Sequence, residues 1–175
     1  MRKKGQINIE ISFPTIGISG NEFWVIQHRD DFTICNNKFL KEFNESKTKL
    51  NFLDSTGGYY RCSKIEKIGY TNILWGFNLV TMGSTFFANI YLEKNEELSI
   101  DELKKMGISI LNFQKEYFSG TTLDIRKWKL EFLALKDKED ILRFLFYFGD
   151  PGRYNDPDTK DLQWRERIGI LKKII

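Results

Sequence analysis

The chain of 175 residues is poor in cysteine, proline and histidine, with two, three and one of these residues respectively. Two cysteines are too few for a disulfide framework, and neither has neighbours at the spacing of a zinc site. We therefore expect Cys35 and Cys62 to be free, buried and inert. The low proline and glycine content argues against a low-complexity or disordered chain. A single ordinary globular domain is the simplest interpretation.

Long apolar runs are also absent, since none approaches the ~20 residues that a membrane-spanning helix needs. The basic residues 1–5 are followed by alternating polar and apolar residues, so the sequence predicts no signal peptide and a cytoplasmic protein. The excess of one charge is small, because 27 basic groups oppose 24 acidic groups and leave a net charge of +3. Such a balance argues against nucleic acid as the partner.

Aromatic and β-branched residues are plentiful, and they are concentrated between Leu50 and Leu92. Four runs rich in these residues, 50–53, 59–68, 73–82 and 85–92, are separated by turn residues and predict an antiparallel β-meander. Upstream, the alternation in 7–13 predicts a strand, 14–21 a loop and 22–27 a second strand. Asn36 or Asn37 is expected to cap a short helix that runs through Phe43.

Helical patterns follow the meander. Ser99 and Glu102 have the spacing of a capping box, and further helices are predicted from Thr121 and from Asp137. The expected apolar stripes are Ile100, Leu103, Met106, Ile110, Phe113 and Tyr117 in the first helix, Ile125, Trp128, Phe132 and Leu135 in the second, and Ile141, Phe144, Leu145 and Phe148 in the third. Strands followed by helices predict an α+β fold, with helices packed on one face of an antiparallel sheet.

Residues 1–150 are interpreted as one domain, and residues 151–175 as a linker and a C-terminal amphipathic helix packed on it. The helices should cover Trp75, Phe77, Phe86 and Ile90, which leaves Leu74, Val80, Phe87 and Tyr91 on the second face. An exposed apolar patch of that size is rare in monomers. We therefore expect the last helix, with Trp164, Ile168, Leu171 and Ile175 on one stripe, to cover it.

The sequence contains no catalytic constellation, cofactor motif or metal-ligand spacing that we could identify. Two alternatives remain open. Tyr59, Tyr60 and Arg61 with Lys64 and Lys67 could form a stacking platform for single-stranded nucleic acid. Cys35 and His28 could form the nucleophilic pair of a small cysteine-dependent enzyme.

Several segments together resemble small bacterial immunity proteins of polymorphic or contact-dependent toxin systems. The resemblance spans about residues 22–149 and rests on 23–26, 31–35, 53–59, 67–70, 74–77 and 98–103. It implies a non-enzymatic protein that binds and occludes one cognate toxin domain. Immunity proteins against nuclease toxins tend to be acidic, so at a net charge of +3 a nuclease partner would require acidic residues to cluster on one face.

Aromatic and arginine side chains supply most of the affinity in protein interfaces. The partner-binding residues predicted on this basis are Tyr59, Tyr60, Arg61, Phe87, Tyr91, Trp164, Arg165 and Arg167.

Overall fold

The computed structural model describes residues 4–20, 22–45, 49–71, 77–78, 83–113 and 125–148. The α+β class is confirmed. The strands are β1 (Thr15–Ser19), β2 (Glu22–Ile26), β3 (Ile34–Asn36), β4 (Leu50–Asp54), β5 (Tyr59–Tyr70), β6 (Phe77–Asn78) and β7 (Gly83–Lys94). The helices are α1 (Arg29–Phe32), α2 (Asn37–Glu45), α3 (Ile100–Phe113), α4 (Ile125–Ala134) and α5 (Lys138–Phe148).

The strands form an antiparallel sheet in the order β2-β1-β4-β5-β7-β3, and β6 pairs with the start of β7. The predicted meander is therefore wrong in one place, because β5 pairs directly with β7 and the third run does not lie between them. Within that run the structure describes only β6. The two long strands match along their length, with Ile65 opposite Ile90, and bulges absorb the differences in register. The order of the strands in the sheet thus differs from the order of the runs along the chain, because β5 pairs with β7 across the third run.

The predicted loop over 14–21 is also wrong, because β1 is an inner strand between β2 and β4. Ile16 and Ile18 are buried on one of its faces. Gly17 serves close packing rather than a turn, since a Cβ atom there would lie 2.3 Å from the Trp24 ring. Only Gly20, with φ 59°, belongs to the tight turn that leads into β2.

The segment predicted as the first strand, 7–13, is an irregular chain beside β7 rather than a strand. Ile7 forms a single parallel bridge with Ile90. The Asn8 side chain then replaces backbone pairing, because its Oδ1 accepts the Leu92 N–H at 2.7 Å and its Nδ2 donates to the Leu92 carbonyl at 3.0 Å. Burial follows the alternation all the same, since Ile7 and Ile11 are both buried.

Helices α3, α4 and α5 cover one face of the sheet, which they meet at Ile16, Ile18 and Leu53. The apolar stripes predicted for the second and third helices are confirmed at six buried residues: Trp128, Phe132, Leu135, Ile141, Phe144 and Leu145. The α3 stripe needs correction, because Ile100 and Phe113 are exposed while Leu103, Gly107, Ile110 and Leu111 are buried. The prediction missed this stripe because it counted apolar side chains, and Gly107 has none. Tyr117 lies outside the described residues.

A second core lies on the opposite face of the sheet. It contains Phe32, Cys35, Phe52, Tyr60, Cys62, Ile65, Phe86, Ala88, Ile90 and Leu92, together with Ile7 and Ile11. The prediction that the later helices cover Phe86 and Ile90 is therefore wrong. The N-terminal segment, α1 and α2 cover these residues instead, with Phe39, Leu40 and Phe43 of α2 packed against them.

Phe87 and Tyr91 do lie on the other face from Phe86 and Ile90, and both are half-buried. The side chains of Trp75, Phe77, Leu74 and Val80 lie outside the described residues, as does the predicted last helix. Its role as a cover for that face stays a prediction.

Candidate functional site

A cavity of about 940 Å³ lies between α2 and the second core. Its lining residues are Ser19, Gly20, Glu22, Trp24, Ile26, Asp31, Phe32, Ile34, Cys35, Asn36, Phe39, Glu42, Phe43, Glu45, Leu50, Phe52, Ile65 and Ile90. Strands from both ends of the sheet contribute to it, because β2 brings Trp24 while β3 brings Ile34 and Cys35. The sheet order therefore assembles a site from residues far apart in the sequence.

Aromatic rings form much of the cavity wall. Trp24 and Phe39 meet edge to face with ring centroids 6.2 Å apart. Phe32 and Phe52 lie closer, at 4.6 Å. Such walls suit an apolar or aromatic group, because edge and face contacts between rings add to the gain from burial.

Helix α2 forms the roof of the cavity. Asn36 caps it as predicted, since its Oδ1 accepts the Phe39 N–H at 2.7 Å. None of its residues is fully buried, and Phe39, Leu40 and Phe43 are only half-buried. The helix thus rests over the cavity without filling it.

The charged residues of the lining are all acidic: Glu22, Asp31, Glu42 and Glu45, each of them exposed. Among the described lining residues there is no lysine, arginine or histidine. Glu42 and Glu45 face Lys38 and Lys41 along α2 at 3.8 and 3.9 Å, exposed pairs that neutralise little of the local field. The cavity therefore has apolar walls and an acidic mouth.

Cys35 also lines the cavity and is buried. Burial raises its pKa to about 11, so it is protonated at neutral pH. Burial likewise raises the pKa of the Cys62 thiol to about 12. A protonated thiol is a poor nucleophile, and His28 is exposed at the start of α1. Burial of the Cys35 thiol and exposure of His28 thus disfavour the cysteine–histidine pair.

The predicted tyrosine platform is divided between the two faces of the sheet. Tyr59 is half-buried against the core under α3–α5, whereas Tyr60 is buried in the second core. The Tyr60 hydroxyl donates to Asp54 at 3.0 Å, and burial followed by this contact raises the Tyr60 pKa to about 12. Tyr60 therefore has a structural role and cannot stack on a base or a partner.

The basic residues of the platform are also separated. Arg61 is exposed, and Lys64 lies 5.2 Å from the centre of the Tyr91 ring. Lys67 lies on the opposite face, 3.9 Å from the Tyr70 ring centre and 4.8 Å from that of Phe86. A single strand of nucleic acid could not contact both lysines from one side of the sheet.

Tyr91, another predicted contact residue, has polar neighbours. Its hydroxyl donates to Glu66 at 2.9 Å, and this bond together with Lys64 lowers the pKa of that carboxyl. Phe87 is half-buried on the same face. Trp164, Arg165 and Arg167 lie outside the described residues.

None of the predicted partner-binding residues lines the cavity, and of its lining the sequence suggested a functional role only for Cys35. The Phe39, Leu40 and Phe43 spacing on a short charged helix was the available signal, because it gives α2 one apolar side. The four carboxylates of the mouth have no shared sequence pattern, since the fold gathers them from β2, α1 and α2.

Across the described ranges, no cluster of three or more histidine, cysteine or acidic side chains is placed to bind a metal. None of the described helices combines the length and hydropathy required to span a bilayer. No family model, no curated protein and no solved structure matches the chain.

Proposed function

We propose that the protein is a non-enzymatic immunity protein that binds and occludes a cognate bacterial toxin through the acidic mouth of the cavity under α2. The observation that carries the proposal is the grouping of Glu22, Asp31, Glu42 and Glu45 around one opening. A chain with a net charge of +3 needs such a local cluster to attract a basic partner. The resemblance to immunity proteins supplies the class of partner.

The charges and the cavity would have different roles in this complex. Acidic groups at the mouth would steer and orient a basic toxin surface, and the complex would then block that surface by occlusion. Exposed ion pairs contribute only ~0.2–1 kcal/mol each, whereas a nanomolar complex requires about 12 kcal/mol. Most of the affinity would therefore come from apolar groups buried against the aromatic walls.

The proposal is tested by charge reversal in a protection assay. The protein is co-expressed with the C-terminal domain of any large secreted protein encoded by the upstream neighbouring gene. We expect the native chain to protect the cell, and Glu22→Lys combined with Asp31→Lys to abolish protection because like charges then meet a basic toxin. Glu10→Lys combined with Glu96→Lys is the matched control, since both residues are exposed and neither lines the cavity.

Two results would count against the proposal. Absence of protection by the native chain would remove the immunity role. Protection that survives reversal of Glu22 and Asp31 would place the binding surface elsewhere on the protein.

A further inference from the structure

The cavity under α2 is a cleft that is partly open to solvent, with a volume of about 940 Å³. This volume falls in the ~300–1,000 Å³ range of ligand sites. The space therefore has the dimensions of a binding site.

The position of α2 makes this space accessible from one side. The helix has nine residues, and short isolated helices are marginally stable, so tertiary contacts hold it in place. Those contacts are made by Phe39, Leu40 and Phe43, all half-buried. A group that enters beneath α2 can thus replace contacts between α2 and the second core without disrupting the sheet.

The lining determines the chemistry of the occupant. Trp24, Phe32 and Phe52 favour a large apolar group, because they contribute aromatic rings to the lining. The side chains of Glu22 and Asp31 at the mouth form no hydrogen bond or ion pair within the described part of the chain. They are therefore available to a cation held next to the apolar group.

We propose that the cavity receives a segment of the protein partner in which a large apolar side chain is flanked by lysine or arginine. The apolar side chain enters beneath α2, and the basic residues pair with the carboxylates of the mouth. This inference rests on the proposed function and specifies which feature of the toxin the immunity protein recognises.

Synthetic peptides test the recognition directly on the full chain. The probe is a short peptide with phenylalanines between lysines, and the two controls replace the lysines by glutamates or the phenylalanines by alanines. Calorimetry should show binding of the probe and roughly tenfold weaker binding of each control, because each control removes one of the two recognised features. Binding should also change Trp24 fluorescence, and Trp24→Phe should remove that signal.

Two substitutions in α2 distinguish an effect on peptide binding from an effect on the stability of the helix packing. Phe43 lines the cavity, whereas Leu40 packs against the same core without lining it. Phe43→Ala should therefore weaken binding of the probe roughly tenfold, since a buried aromatic contact is lost. Leu40→Ala should leave the affinity within about twofold of the native value, although both variants lower the melting temperature.

The outcomes distinguish the inference from the proposed function. Equal binding of the lysine and glutamate peptides, no binding of the probe, or equal effects of the two α2 variants would overturn the inference. Protection from the toxin could persist in each of these cases, and the proposed function would then stand. Selective binding of the probe without any protection would overturn the immunity role and leave the chemistry of the site intact.

Discussion

Asp54 is a buried carboxylate, 2% exposed, at the end of β4. One oxygen accepts hydrogen bonds from the Thr56 N–H, the Thr56 hydroxyl and the Gly58 N–H at 2.7–3.0 Å. The other accepts from Tyr60 at 3.0 Å and from the Ser12 N–H at 3.4 Å. A buried charge is tolerated when it is fully hydrogen-bonded, so Asp54 fixes the β4–β5 turn rather than serving as a reactive acid.

Replacing this carboxylate should therefore be costly. Asp54→Ala leaves several donors buried without acceptors, and we expect a loss of about 2–4 kcal/mol in the free energy of unfolding. Tyr60→Phe removes a single bond and should cost about 1 kcal/mol. Urea unfolding of both variants measures the difference. Equal losses would mean that the Tyr60 contact alone accounts for the effect.

The neighbours Tyr59 and Tyr60 show how far sequence reasoning extends at this scale. Both were predicted as contact residues of one surface, whereas alternation along β5 places them on opposite faces of the sheet. Because both faces of this sheet are covered near β4, Tyr60 is buried and Tyr59 is half-buried. Local periodicity gives the direction of a side chain, but not what lies opposite it.

At the scale of elements, α3 packs closely on α4 and α5 through Gly107. A Cβ atom at this position would lie 2.3 Å from Cζ of Phe132. That ring has little room to move, since it is fully buried and stacks on Phe144 at 4.1 Å. The glycine permits this close approach of two helices.

Gly107→Ala places two effects in opposition. Alanine favours a helix over glycine by ~1 kcal/mol, whereas overpacking a rigid core costs ~1–3 kcal/mol. We expect the steric cost to exceed the helical gain, so that thermal unfolding occurs at lower temperature. Ser109→Ala is the matched control, because Ser109 is exposed on the same helix and should not destabilise the protein. A stabilised Gly107→Ala variant would show that Phe132 can move.

The start of α3 carries a pH-dependent contact. Glu102 accepts from the Ser99 N–H at 2.8 Å and from its hydroxyl at 2.7 Å, which confirms the predicted capping box. These hydrogen bonds lower the Glu102 pKa below its ordinary value. The stabilisation is therefore complete above the ordinary glutamate pKa, and it is lost as the pH falls through the folded-state pKa.

Glu102→Gln isolates this effect. The difference in unfolding free energy between the native chain and the variant should shrink as the pH falls from about 6 to about 3, because both side chains are then neutral. Chemical denaturation at a series of pH values measures it. A difference that stays constant with pH would contradict the assignment.

At the scale of the whole molecule, the sheet separates two cores. Helices α3–α5 cover one, whereas α2, α1 and the N-terminal segment cover the other. The cavity lies on this second side of the sheet, next to α2. Large apolar side chains also remain at the surface, with Leu130 of α4 71% exposed and Ile34 of β3 40% exposed. The molecule therefore has apolar surface beyond its two cores.

Deleting residues 151–175 tests whether the predicted last helix covers the sheet face that carries Phe87 and Tyr91. Because Trp164, Ile168, Leu171 and Ile175 form one apolar stripe, we expect the shortened chain to melt at a lower temperature and to self-associate. Light scattering and thermal unfolding measure the two effects. The full-length variant Trp164→Ser should reproduce part of the loss. A shortened chain that remains monomeric and equally stable would leave the last helix free to bind a partner.

The sequence by itself determined the α+β class, the positions of β2, β4 and α5, and the caps of α2 and α3. These features depend on periodicity and on hydrogen bonds between residues close in the chain. Tertiary structure alone decided that β1 is an inner strand, that β5 pairs with β7, and that four distant carboxylates surround one cavity. Strand pairing and burial depend on contacts between remote segments, and a local pattern does not specify which remote segment will be opposite.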